Sequence, residues 1–274
     1  MIFDDTPCQL GEGPLWHPTR KQLFWFDILG HRLHTKGRHW QFDTYVSAAG
    51  WVDQDTLIVA SAKALHRFDI ATGDHSEICA LDADNNVTRS NDGRADPQGG
   101  FWIGTMGINA EKDAGAIYRY YKGELRQLFA PITISNAICF APDGKTAYFT
   151  DTPKALIMRV CLDDHGWPSG TPEVYIDMAK SGDHPDGAVV DIHGNFWNAQ
   201  WGQGRVAGYT PAGDFIKAYE FPAPQTTCPA FGGPDRTTLF CTSAATGLPE
   251  NDSNGRTFQV ATDITGQAEH RVII

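Results

Sequence analysis

Two acids and two amides stand at one spacing along this chain. Glu12 lies six residues before Pro18, Asn91 six before Pro97, Asn136 six before Pro142 and Asp186 six before Ile192. Carboxylate and carboxamide oxygens are hard donors. They hold Ca²⁺, Mg²⁺ or Mn²⁺, or a borderline Zn²⁺, with water completing the shell. Taken singly, Asn91-Asp92-Gly93 and Asp186-Gly187 read as turns, and Glu12 between two glycines as a loop residue. Turn chemistry does not demand a common spacing, so the shared register marks the four as a candidate site. Arg89, two residues ahead of Asn91, should reach the same place, and His184 is close enough to Asp186 to border a pocket. His17 and His193 fall near turns at the opposite ends of their strands and read as structural. Ala48 and Cys228 take the equivalent slot in two further repeats. Cys228 has no evident base beside it and reads as pocket wall rather than nucleophile.

A common register needs a repeated element to carry it. In residues 184–197, Asp186 precedes the apolar run Ala188-Val189-Val190, a polar turn follows, and Phe196-Trp197 opens the next segment. The run is too short for a helix and suits a buried strand, and the His193-Gly194-Asn195 turn suits a hairpin. Variants of this phrase open near Gly11, Ala49, Asp92, Ala137, His184 and Cys228, which makes six units. Their aromatic or apolar pairs, such as Phe24-Trp25 and Phe101-Trp102, recur roughly every 33 to 48 residues, the period of four-stranded propeller blades. Helical repeats are disfavoured, because the runs are β-branched and aromatic and are punctuated by Gly, Pro and Asp. The expectation is an all-β, six-bladed β-propeller forming a single domain over residues 1–274. In such a fold the first strand of each blade lines the central channel, so equivalent positions share one height. The residues before Leu10 are expected to join the blade ending in Arg271-Val272-Ile273-Ile274, hiding both edges.

Bulk properties narrow the partners. A formal net charge of −11 argues against nucleic acid and anionic membrane surfaces. No apolar run reaches the roughly 18 residues of a membrane span, and Met1-Ile2-Phe3-Asp4-Asp5 lacks the pattern of a signal peptide. A cytoplasmic monomer or small homo-oligomer acting on a small molecule is the expectation. The six cysteines are scattered without a CxxC pair, which gives no sign of a zinc cluster or a disulfide framework.

Five dispersed motifs carry a resemblance. They are Leu10-Gly11-Glu12-Gly13-Pro14, Arg89-Ser90-Asn91-Asp92-Gly93, Ile134-Ser135-Asn136-Ala137, His184-Pro185-Asp186-Gly187-Ala188 and Cys228-Pro229-Ala230-Phe231-Gly232-Gly233. In that order they resemble the gluconolactonase family that includes regucalcin, the senescence marker protein. The resemblance implies a six-bladed propeller with one divalent ion in the axial mouth, Ca²⁺ or Zn²⁺ before Mg²⁺ or Mn²⁺. It implies Glu12, Asn136 and Asp186 as metal ligands and Arg89 with Asn91 as the substrate-binding pair. Asn109, after Thr105-Met106, stands where a regucalcin has a glutamate that helps fit the sugar.

The implied activity is metal-assisted opening of sugar lactones, aldonolactones or aldarolactones, to sugar acids. A cation can stabilise the carbonyl oxyanion and lower the pKa of water from 15.7 toward about 7. The absence of a G-x-S-x-G elbow agrees with that route, and Asp186 is the best candidate for proton transfer. Two alternatives stay open: a calcium-binding regulatory propeller without turnover, and an esterase or phosphotriesterase on a related propeller.

Overall fold

The structure, a computed structural model, describes residues 1–274. Six four-stranded antiparallel sheets follow one another along the chain and stand around one axis as a six-bladed β-propeller. The inner strands are Gly11–His17, Val46–Trp51, Thr88–Ala95, Ser135–Phe140, His184–Val190 and Thr226–Gly232. The one helical element is a turn of 3₁₀ helix, Thr152–Lys154.

The aromatic and β-branched runs form strands because they pack on both faces. Each blade is too thin to bury them alone, so the apolar residues gather between neighbours. Phe24, Phe26 and Trp40 of the first blade meet Leu57, Val59 and Phe68 of the second in a cluster of 13 buried residues. Similar clusters fill the next four junctions. At the junction of the sixth blade with the first only five buried residues meet: Cys8, Leu23, Trp25, Ala230 and Phe240.

Ring closure follows the expectation at one terminus and departs from it at the other. Ile2–Asp4 pairs antiparallel with Thr257–Ala261 and becomes the outermost strand of the sixth blade, so the N-terminal segment does complete that sheet. The sheet it joins ends at Ala261, not at Ile274. Residues 262–274 instead run across the far end of the axis. Gln267 Nε2 donates to the carbonyls of Phe140 (2.9 Å) and Val190 (3.0 Å). Trp51 Nε1 donates to Glu269 O at 2.9 Å, and the Val272 N–H donates to Trp51 O. This segment has too little strand-forming sequence to pair with a sheet along its length, and it satisfies its polar groups one blade at a time.

Candidate functional site

Every inner strand breaks register once, near the same end of the propeller. A β-bulge bends a strand and re-aims side chains, and here it delivers donors to the channel mouth in two ways. Glu12 and Asn136 are the last paired residues before the break, opposite Phe26 and Thr150. The residue after each is left-handed, Gly13 at φ +53° and Ala137 at φ +56°. A non-glycine residue held there is strained, and the same backbone turn at both positions points the preceding side chain inward. Asn91 and Asp186 are instead the first unpaired residues, following Ser90 and Pro185, which still pair with Thr105 and Gln200.

The four side chains meet. Together with Arg89 they line one cavity of about 460 Å³ at the mouth, and each is at most 6% exposed. Asn91 Nδ2 donates to Asn136 Oδ1 (3.1 Å) and to Ser135 O (2.9 Å). Asn136 Nδ2 donates to Thr152 Oγ1 (2.9 Å), whose hydroxyl donates on to Pro185 O (2.8 Å). Arg89 Nη1 donates to Asn91 Oδ1 (2.9 Å) and Ser90 O (2.8 Å), while its Nε is buried without a partner. The walls above are apolar: Leu10, Met106, Ile134, Pro153 and Trp201. His184 borders the cavity at its exposed rim, opposite Trp201 in the sheet.

The electrostatics of this floor are unbalanced. The carboxyls of Glu12 and Asp186 are in hydrogen-bonding contact. Burial, then neighbouring negative charge, pushes both well above the usual carboxylate range; the charge comes from Asp92 for Glu12 and from Glu12 for Asp186. Asp92 itself is raised to about 6 by burial, against the Ile138 N–H that donates to its Oδ2 at 2.7 Å. Arg89 is lowered to about 10 by burial, with Glu12 the largest opposing influence. Two touching buried carboxyls cannot both ionise without a countercharge. A divalent cation between them would supply it, and Asn136 offers a third oxygen of the same hard type. The donor set therefore fits such an ion.

Other positions lie elsewhere. Asn109 sits in an exposed turn, with its Nδ2 donating to Glu111 Oε1 (2.9 Å) and its N–H to Glu111 Oε2 (2.9 Å), and it does not line the cavity. Cys228 is wholly buried within the break in its strand, and Ala48 is wholly buried just past the break in its own. The strand positions at mouth level in those two blades are Thr226-Thr227 and Val46-Ser47, so Cys228 is not a pocket wall. His17 is buried, with Nε2 3.0 Å from Asp53 O, and serves the structure at the far end. Thr152 and Asp92 were not apparent as site residues from sequence. Thr152 lies in the only helical turn, and Asp92 looks like an ordinary Asn-Asp-Gly turn residue. A second group of ligand-type side chains, Cys8, Asp27 and His34, is buried away from the mouth.

Comparison with known proteins supports the fold and identifies the family. The chain is 33% identical to a 6-deoxy-6-sulfogluconolactonase of Pseudomonas putida, covering 96% of this chain and 94% of that one. It is 30% identical to a pentonolactonase of Haloferax volcanii, with coverage of 97% and 96%. The crystal structure of a calcium-binding protein, regucalcin, from Agrobacterium tumefaciens strain C58 superposes with a TM-score of 0.96 at 41% identity, covering all of this chain and 97% of that one. Residues 10–245 match the family described as SMP-30/Gluconolactonase/LRE-like region, and the chain belongs to that family.

Proposed function

We propose that the protein hydrolyses sugar lactones to sugar acids at the channel mouth, with a divalent cation held by Glu12, Asn136 and Asp186. The observation that carries this reading is the pair of buried, touching carboxyls beside an amide oxygen on the floor of a sugar-sized cavity. The lactonase relatives support the reaction class. The all-oxygen donor set, together with the description of the Agrobacterium relative as a calcium-binding protein, favours Ca²⁺ over Zn²⁺.

When bound, the cation would supply Lewis-acid polarisation of the lactone carbonyl and a lowered pKa for water. The chain's own groups do the rest. The Asp186 carboxylate orients the attacking water and takes its proton. The Arg89 guanidinium, locked to Asn91 Oδ1 at 2.9 Å, presents donors to sugar oxygens in a fixed geometry, and the remaining lone pair of Asn91 Oδ1 accepts from a sugar hydroxyl. Leu10, Met106, Ile134 and Trp201 limit water around the reacting ester. In a protein that only binds calcium Asn91 would still steady Asn136, but Arg89, at the cavity with its Nε unpartnered, would have no ligand to meet, which favours turnover over the regulatory reading. Hydroxyl-matching donors likewise favour a sugar lactone over an aryl ester or phosphotriester.

The test is a panel of aldono- and aldarolactones, assayed by acid release with Ca²⁺, Zn²⁺, Mg²⁺ and Mn²⁺ in turn. Metal-dependent acid release on at least one lactone, abolished in Asp186→Asn, is expected. Full activity in chelator-treated protein, or activity confined to organophosphates, would overturn the reading.

A further inference from the structure

The closing seam of the ring, between the sixth blade and the first, is the least apolar of the six junctions, with five buried residues against nine to thirteen elsewhere. The N-terminal segment crosses there, and Cys8 rides on it, with its N–H donating to Gly255 O and its carbonyl accepting from Ala245. Facing Cys8 are Asp27, at the end of the second strand of the first blade, and His34, on the third. The thiol sulfur, a carboxylate oxygen and a ring nitrogen of these three residues lie within 4.8 Å of one another. Cys8 is 1% exposed, and Asp27 and His34 are each 3% exposed.

Their hydrogen bonds are incomplete. Asp27 Oδ1 accepts the N–H groups of Leu10 (3.0 Å) and Gly30 (3.1 Å), but Oδ2 accepts only that of Gln9 (3.1 Å), so a lone pair is free. His34 makes no side-chain hydrogen bond, and its Nε2 is sealed from solvent. Its ring is held by stacking on Trp25, with centroids 5.6 Å apart and planes 12° from parallel. A buried, unpartnered imidazole nitrogen carries a desolvation cost that a ligand would remove.

We propose that Cys8, Asp27 and His34 bind a thiophilic divalent cation, Zn²⁺ by its chemistry, which clasps the seam where the ring closes. Sulfur, nitrogen and oxygen donors of these types are those of four-coordinate zinc, with one position left for water. On binding, the Cys8 S–H bond breaks, its proton passes to solvent and the sulfur lone pair forms the metal bond. The Trp25 indole N–H, beside the thiol, then has a thiolate to donate to, an outer contact of the kind that tunes such sites. This ion is separate from the one at the mouth, whose donors are all oxygen.

Cobalt(II) titration of metal-free protein distinguishes the two sites. A thiolate–cobalt charge-transfer band in the near ultraviolet is expected in the wild type and in Asp186→Asn, and is expected to be lost in Cys8→Ser and His34→Gln. The Cys8→Ser and His34→Gln variants should keep their lactonase turnover, and the wild type should gain thermal stability as the seam site fills. Should either variant fail to fold, X-ray absorption of zinc-loaded Asp186→Asn should find one sulfur at about 2.3 Å. The absence of the band in cobalt-saturated wild type, its survival in folded Cys8→Ser, or the absence of a sulfur neighbour would each overturn the proposal.

Discussion

The two ends of the central channel both bury charge, and they do so to opposite effect. At the far end Arg94 Nη1 and Glu269 Oε1 lie 2.6 Å apart beneath residues 262–274. Burial there opposes the guanidinium charge, but Glu269 outweighs it, and Arg94 is held more firmly protonated than usual. At the mouth, Glu12 and Asp186 touch, so that neither can ionise freely while the other is charged, and Arg89 offsets only part of that charge. A buried pair that balances itself asks for nothing further and can seal a structure. A buried pair that repels itself is tolerable only if something else arrives, which is why the second end, and not the first, is a place for a ligand.

The largest effect that would break this contrast is at Asp186. Asp186→Asn should lower kcat/KM for a sugar lactone on the order of 10³-fold. The same change should raise the melting temperature of metal-free protein, because it removes one of two repelling groups. A fall in both would mean that the acid is structural. Next is Glu269→Ala, which strands Arg94 without a partner. It should cost about 3–5 kcal/mol of stability in denaturant unfolding, with turnover of the folded fraction nearly unchanged. Asn91→Ala should cost about tenfold in kcat/KM, chiefly through KM, as expected for one lost substrate hydrogen bond. The smallest change belongs to Asn109, outside the cavity and bonded to Glu111. Asn109→Ala should move stability by less than about 0.5 kcal/mol and leave steady-state kinetics nearly as they were. A large rise in KM there would show that its turn closes over the sugar.

The sequence exposed the blades because short aromatic and β-branched runs between glycine turns have few other folds open to them. It exposed the four donors through a compensation. In the first and fourth blades the donor lies three residues before pairing resumes at Leu15 and Cys139. In the third and fifth it lies two before Gly93 and Ala188, and one extra residue ahead of the turn restores the common count. Where no such pattern runs, sequence was silent. Ala48 and Cys228 kept the count without reaching the mouth, because their breaks fall elsewhere relative to the turn. Residues 262–274 hold their place through isolated long-range bonds that leave no periodic trace, and Cys8, Asp27 and His34 come together from three separate segments.

The position of Ile2–Asp4 also sets an order of events. That strand is made about 250 residues before its partner Thr257–Ala261, so the ring cannot lock until the later strand has been made. Until then the first blade waits with one flank bare, a window in which holding factors or a neighbouring nascent chain could engage it. Joining the ends and reopening the chain at the exposed Lys122-Gly123 turn would make the closing contact a local one, and refolding should then quicken without altering the finished ring.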